Sequence, residues 1–365
     1  MTREKTVKIA FFHDYFGAIG GGEKVVIAMA KILDADIITT DTDAVKKIDS
    51  YVRVISLGKT IKYPGLKQIS ATLKFYFSDF SKKYDLFIFS GSWAHYAAHR
   101  HHPNLWYCHT PVRAFYDNYT HFLRSLPLFK QVFFRIYAHI FRAADRRSVS
   151  HIDHIVANSH NVRLRIRQFL FRESEVIYPP IDASKFFFSE YGNFCLSVNR
   201  LYPEKKIELQ IESYRAMPEQ RLVIAGGFAH GDHSAAYAKY IQDDLPSNVT
   251  FLGEVPDAEL CDLFAHCRGI ICTAKDEDFG LTPLEAMAAG KPVIAVNSGG
   301  FRETVTPLTG MLVNSDVPSI IAAVRQISED PARYHGACIA RAREFDISVF
   351  AEQLQKKVNR IQKTP

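Results

Sequence analysis

The sequence predicts an α/β protein of two doubly wound domains, and three observations carry that expectation. Apolar runs of strand length alternate with segments of helical spacing along the whole chain. A Tyr-Pro-Pro-Ile-Asp passage at 178–182 divides this alternation with stiff, extended backbone. The 365 residues suffice for two separate cores. The expected division is 1–185, 186–345 and a last helix within 346–365. An apolar fraction of 47% with 23% charged residues is that of a folded globular chain.

In the first half, 8–14 is an apolar strand and 23–33 has helical spacing at Val25, Val26, Met29, Ile32 and Leu33. Between them Gly20, Gly21 and Gly22 let backbone N–H groups approach a ligand, or serve as a flexible turn. The spacing from Gly17 to Gly22 is not G-x-G-x-x-G, and no Walker Lys-Ser pair follows, so nicotinamide and P-loop readings drop. Strands are expected at 35–40, 51–57, 84–90 and 104–108. The last of these delivers His109 to the C-terminal strand edge, where α/β sheets bind ligands. His95, His99, His101 and His102 invite a metal reading, but no carboxylate or cysteine adjoins them in sequence, and His-Arg-His-His at 99–102 reads as a surface loop. A strand at 151–159, an amphipathic helix and a strand at 174–178 complete this half.

The second half opens with a strand at 194–199. Arg200 and Lys205 at the following strand-to-helix junction form either a diphosphate clamp or surface ion pairs. Strands at 221–225 and 249–252 end in Gly226-Gly227 and Gly253-Glu254-Val255. The stretch 275–291, K-D-E-D-F-G-L-T-P-L-E-A-M-A-A-G-K, follows an apolar strand and enters a helix. Thr282 is the expected N-cap, Pro283 the first helical residue and Glu285 the capping-box acid, with Gly290 and Pro292 ending the helix. Such an N-terminus at a strand edge favours an anion, and Glu277 and Glu285 beside it either grip hydroxyls or are a solvated acid and a capping acid.

These motifs resemble the retaining glycosyltransferases of family 4, which have the GT-B fold of two Rossmann-like domains facing a central cleft. The resemblance covers nearly the whole chain and is strongest over 195–315. It implies that Glu277 lies by the donor sugar, Glu285 binds the ribose, and Arg200 and Lys205 bind the donor diphosphate. Gly20, Gly21 and Gly22 would face the donor phosphates and acceptor, and Gly226 and Val255 the base. Phe279, Gly280, Leu281 and Thr282 would form the phosphate-binding loop and helix start. The string Y-C-H-T-P-x-R at 107–113 is similar to a segment of mannose-transferring members, placing His109 beside the sugar. The implied reaction moves a hexose, mannose from GDP-mannose foremost, from a nucleoside-diphosphate sugar to a hydroxyl of a glycan or polyprenyl-linked glycan. The anomeric configuration is kept and neither metal nor cofactor is required. Asp276-Glu277-Asp278 superficially matches the D-x-D metal site of GT-A transferases, but the glutamate spacing around it belongs to the metal-free class. In GT-B proteins the last helix crosses back to the first domain. The competing readings are a GT-B sugar-nucleotide epimerase or hydrolase, and an inactive membrane-surface binding protein.

Composition bounds the partners. Six cysteines without a C-x-x-C pair suit buried thiols in a reducing compartment, and 1–14 has no secretory h-region, so a cytoplasmic protein is expected. The net charge of +6 hides an asymmetry: 1–185 holds 27 Lys and Arg against 16 Asp and Glu, while the remainder holds 18 against 23. Ten basic residues in 121–172 face only Asp145 and Asp153, among many aromatic and aliphatic ones. Without any nucleic-acid-binding motif this suggests contact with an anionic membrane surface, or a solvated helix face whose apolar side is core.

Overall fold

A computed structural model describes residues 7–16, 20–44, 52–63, 65–227 and 234–363. Gly17 and the start of the strand expected at 51–57 lie outside the described residues. The chain divides into two compact units, Met1–Tyr178 with Phe350–Pro365, and Pro179–Val349.

The first unit runs β1 (Ile9–Tyr15), α1 (Gly21–Ile32), β2 (Asp36–Thr40), β3 (Val54–Ser56), α2 (Leu66–Phe77) and β4 (Leu86–Ser90). A 3₁₀ helix (Ala94–Arg100) follows, then β5 (Asn104–Cys108), α3 (Tyr119–Ser125), α4 (Leu128–Val149) and β6 (His154–Ala157). After these, α5 (His160–Arg165) passes through a π turn (Ile166–Leu170) to β7 (Glu175–Val176). The second unit runs β8 (Phe194–Val198), a 3₁₀ turn (Pro203–Lys205), α6 (Ile207–Arg215), β9 (Arg221–Ala225), α7 (Ser234–Gln242) and β10 (Val249–Gly253). It continues with α8 (Asp257–His266), β11 (Gly269–Cys272), α9 (Leu281–Ala288), β12 (Val293–Val296), α10 (Phe301–Thr304) and β13 (Gly310–Val313). The helices α11 (Val317–Glu329), α12 (His335–Arg343) and α13 (Ile347–Lys363) close the chain. From Phe350 onward α13 belongs to the first unit, where Lys357 Nζ lies 2.7 Å from Glu175 Oε1 and Phe350 meets the Tyr107 ring edge-on.

Both sheets are parallel, in the order β3-β2-β1-β4-β5-β6-β7 and β10-β9-β8-β11-β12-β13. Parallel strands covered on both faces must be apolar throughout, which is why β1, β4, β5, β11 and β12 are continuous buried runs rather than alternating ones. Each order reverses direction once, between β1 and β4 and between β8 and β11. At such a point the flanking connections part to opposite faces and leave a crevice beyond the strands' C-terminal ends. His13, Asp14 and Ser90 stand at the first reversal, and the segments after Val198 and Cys272 at the second.

Burial corrects the surface-loop reading of 99–102 at His101, whereas Arg100 and His102 are exposed as expected. His101 is fully buried, its Nδ1 2.6 Å from Ala97 O while its Nε2 accepts from Phe80 N–H at 2.9 Å, and its ring packs on Phe12 and Phe87. His95 is buried against Asp145 Oδ1 at 3.1 Å and Ser148 Oγ at 2.8 Å. Each ring is satisfied internally, so polarity in the sequence did not mean exposure. Of the six free cysteines, Cys108, Cys195, Cys267, Cys272 and Cys338 are buried and Cys261 is half-buried.

Asp14 is the structural acid of the first reversal point. Its carboxylate accepts from Ser92 N–H at 2.6 Å and from Trp93 and Ala94 N–H at 2.8 Å, closing the start of the 3₁₀ helix. Gly91, at φ +94°, stands where any Cβ would overlap that carboxylate. Burial pushes the Asp14 pKa up despite these bonds and the neighbouring His13. Asp14→Ala strands the buried Trp93 and Ala94 N–H groups and the half-buried one of Ser92, and should lower stability by about 3–5 kcal/mol. Both tryptophans, Trp93 and Trp106, lie in this unit, so their fluorescence in a urea titration reports it alone. An unchanged midpoint would remove Asp14 from this role.

Candidate active site

Two polar constellations stand at the reversal points, one in each unit. In the second unit Lys205 Nζ lies 2.6 Å from Glu277 Oε2, both side chains being about a quarter exposed. The pair is held through its backbone. Thr273, just past β11 and buried, has its hydroxyl 2.7 Å from Lys205 O and 3.1 Å from Lys206 O, and accepts from Gln210 Nε2 at 2.7 Å. Lys275 N–H donates to Glu204 O at 2.8 Å, and Lys206 takes a left-handed conformation that turns the chain into α6. The 3₁₀ turn is thereby tied to the strand end carrying Glu277.

A second clamp acts on the acidic loop itself. Asp276 N–H donates to Ser298 Oγ at 3.0 Å, and Gly300 N–H donates to Glu277 O at 2.7 Å. A Cβ at Gly299 would overlap the Glu277 backbone, and one at Gly300 would overlap Phe279 Cα, so this approach requires glycine at both positions. Phe279 is buried against Phe345; its side chain anchors the loop from within instead of facing a ligand.

The start of α9 differs from the expected capping box. Gly280, at φ +95°, is the N-cap, and Leu281, Thr282 and Pro283 are the first three helical residues. The Phe301 ring would lie 2.9 Å from a Cβ on Gly280, so tertiary packing selects glycine there and moves the helix start two residues upstream of the local T-P-x-E signal. Pro283 is tolerated in the first turn because that N–H has no intrahelical partner. Glu285 thus lies in the second turn, half-buried, and is not a capping acid. The helix ends as expected, with Gly290 at φ +71°.

Arg200 is exposed beyond β8, three residues before the turn that holds Lys205. Nearby, Gly226 sits at φ +144° where a Cβ would overlap Asn199 O, and its N–H donates to Gly253 O at 2.7 Å. That bond brings the ends of β9 and β10 together, with Val255 half-buried just beyond. The structure therefore gathers Arg200, Lys205, Glu277, Glu285, Gly226 and the α9 N-terminus around one sheet edge. Gln210, Thr273, Gly299 and Gly300 are the positioning residues that the sequence did not reveal.

In the first unit His109 Nε2 lies 3.0 Å from Ser90 Oγ, and Tyr107 meets its ring edge-on. Gly20 is the N-cap of α1 and Gly21 and Gly22 its first residues; Gly20 N–H donates to Glu23 Oε2 at 2.8 Å. A Cβ on Gly22 would meet nothing within 4 Å, so packing does not explain that glycine. Buried His13 approaches Glu23 at 3.9 Å. Burial alone would raise the Glu23 pKa, but the His13 hydrogen bond and charge, with the Gly20 and Glu23 N–H groups, hold it at about 2. Arg165, also buried, donates to Thr110 Oγ1 at 2.9 Å and shares Asp117 with Arg113. Among the described residues no group of three or more His, Cys, Asp or Glu could hold a metal ion.

Burial, reinforced by His13 and opposed by Glu23, pushes the His109 imidazole down to about 4. The unfolded chain binds that proton below its ordinary value of 6.5 and the folded chain only near 4. This group therefore weakens the fold as pH falls through that window. An NMR titration, with the His109 resonance assigned from the His109→Gln spectrum, should give a midpoint near 4; a midpoint at or above 6.5 would contradict this environment.

Comparison with known proteins gives the family and agrees with the fold. Residues 19–185 match the family described as Glycosyltransferase Family 4, and 181–345 the one described as Glycosyl transferases group 1. An alpha-1,3/1,6-mannosyltransferase, ALG2 of Candida glabrata, is 27% identical over 84% of this chain and 79% of its own. The human ALG2 is 32% identical over 46% and 45%. The O-antigen chain mannosyltransferase RfbU of Salmonella typhimurium is 29% identical over 52% and 55%. Among solved structures, sucrose-phosphate synthase of Thermosynechococcus elongatus superposes with a TM-score of 0.81 at 18% identity, covering 98% of this chain and all of that one. Anabaena HepE in complex with UDP gives 0.77 at 21%, covering 96% and 99%.

Proposed function

The chain belongs to the family 4 glycosyltransferases, and we propose that it transfers mannose from GDP-mannose to a hydroxyl of a glycan or polyprenyl-linked glycan, retaining the anomeric configuration without a metal. The observation that carries this is the Lys205–Glu277 pair at 2.6 Å, carried on the segments that follow β8 and β11 as are Arg200 and the start of α9. The mannose assignment is supported by the mannosyltransferase relatives and by the H-T-P string around His109.

In this reading the donor diphosphate lies against Arg200, Lys205 and the N–H groups of Leu281 and Thr282. As the bond from C1 of the sugar to the diphosphate oxygen breaks, its electron pair leaves with the diphosphate. Two cations and a helix N-terminus, preorganised before reaction, stabilise the growing charge. The acceptor oxygen bonds to C1 from the face the diphosphate is leaving, and its proton passes to a diphosphate oxygen. The products are the glycosylated acceptor and GDP, and no protein nucleophile is needed. Glu277 lies by the sugar, oriented by its pairing with Lys205, and Glu285 accepts from the ribose hydroxyls. Gly226 and Val255 flank the base, where backbone contacts leave specificity to shape. In the first unit, neutral His109 can bond a sugar hydroxyl, and Gly20, Gly21 and Gly22 leave backbone open to a ligand. A polyprenyl-linked acceptor would hold the enzyme at a membrane surface, and the proposed location is the cytoplasmic face of that membrane.

Calorimetric titration with GDP-mannose, UDP-glucose and UDP-N-acetylglucosamine, in the presence of chelator, tests the donor assignment. GDP-mannose should bind best, and Lys205→Ala and Glu285→Ala should each weaken it roughly ten- to a hundredfold, as expected for losing a charge-assisted contact. Binding confined to a UDP-sugar would overturn the donor, and undiminished binding by both variants would overturn the site.

A further inference from the structure

The outer face of α4 is apolar where a surface helix is ordinarily polar. Leu128, Phe129, Val132, Phe133, Ile136 and Ile140 are each more than half exposed, from 54% at Val132 to 82% at Leu128. At 3.6 residues per turn the six fall within a sector of about 140°. The opposite sector carries Ala138, Phe141, Asp145, Ser148 and Val149, which are buried and seat the helix on its own unit. The core requirement of α4 is therefore met by its inner face, and the outer stripe is additional. Its exposed area is on the order of 600 Å², at the top of the range for the largest apolar patch of a monomer.

The charges around the stripe have one sign. Lys130, Arg135, Arg146 and Arg147 are exposed on the same helix. The one acid of α4, Asp145, is turned inward, bonded to Tyr116 Oη at 2.7 Å and to His95. No helix among the described residues is long and apolar enough to cross a membrane. A helix about 33 Å long with an apolar stripe, basic flanks and no outward carboxylate has the chemistry of one lying in the plane of a bilayer surface. A second copy of the chain fits less well, because a two-fold contact through this stripe would bring the same cations of both copies together.

We infer that the outer face of α4 docks the protein on an anionic phospholipid surface, with the apolar stripe in the headgroup boundary and the flanking cations on lipid phosphates. This deepens the lipid-linked acceptor reading by naming the surface that meets the membrane, but its observations are independent of the donor site.

The test is flotation of the full chain with vesicles of phosphatidylcholine alone or with about 30 mol% phosphatidylglycerol. The protein should float with the anionic vesicles at least about tenfold better than with neutral ones, the preference fading in high salt. Phe129→Ser/Phe133→Ser should reduce that binding at least about tenfold, while tryptophan fluorescence and nucleotide-sugar titration stay unchanged. Absent flotation, or equal flotation of the double variant, overturns the proposal. So does a concentration-dependent dimer in sedimentation velocity that the double variant abolishes while vesicle binding persists. Failure here with intact donor binding leaves the transferase reading standing, and loss of donor binding with intact flotation sinks only that reading.

Discussion

One buried hydroxyl ties together the two segments that carry the Lys205–Glu277 pair. Thr273 joins the turn bearing Lys205, the end of β11 and, through Gln210, helix α6. A lysine and a glutamate in water gain little from pairing, since holding two long side chains in register offsets the attraction. Here the backbone of each is already fixed and both side chains are half-buried, so less freedom remains to lose. Gly299 and Gly300 complete the constraint from the other side by admitting the acidic loop so closely that any side chain would expel it. The charged groups are few, and most of the apparatus around them is backbone geometry.

The first unit solves a different problem at its own sheet reversal. Two acids and two histidines crowd the ends of β1 and β4, and burial separates their roles. Asp14 is wholly committed to the 3₁₀ helix, and Glu23 to Gly20 and His13. His109 bonds Ser90 and is held neutral by its surroundings, which suits a hydrogen-bonding partner for a sugar and not a counter-charge for a phosphate. In the proposed reading the cations that meet the diphosphate belong to the second unit, although the first carries the larger excess of basic residues. Much of that excess lies along α4 and its neighbours, and the membrane proposal gives it a use.

The strands and their alternation with helices were legible because a parallel sheet covered on both faces demands unbroken apolar runs, and the sequence contains them at almost every place a strand forms. The order of Arg200, Lys205, Glu277 and Glu285 was legible by family resemblance, and the fold brings the first three to the segments that follow β8 and β11. What was not legible depended on distant neighbours. The Phe301 ring displaced the cap from Thr282 to Gly280, and the Phe12 and Phe87 rings made a core residue of His101. Gln210 and Thr273 are 63 residues apart, and nothing local marks either as a buried partner. On α4 apolar residues occupy both faces, so periodicity alone could not say which face turns inward.

The account rests on the claim that the donor diphosphate is received by Arg200, Lys205 and the start of α9. A structure determined with the bound nucleotide sugar addresses it most directly. The account predicts diphosphate oxygens within hydrogen-bonding distance of Lys205 Nζ, the Arg200 guanidinium and the Leu281 and Thr282 N–H groups, with the ribose hydroxyls on Glu285 and the sugar beside Glu277. A nucleotide bound with its diphosphate on Asp276 and Asp278 through a divalent ion, or held away from both cations, would contradict it.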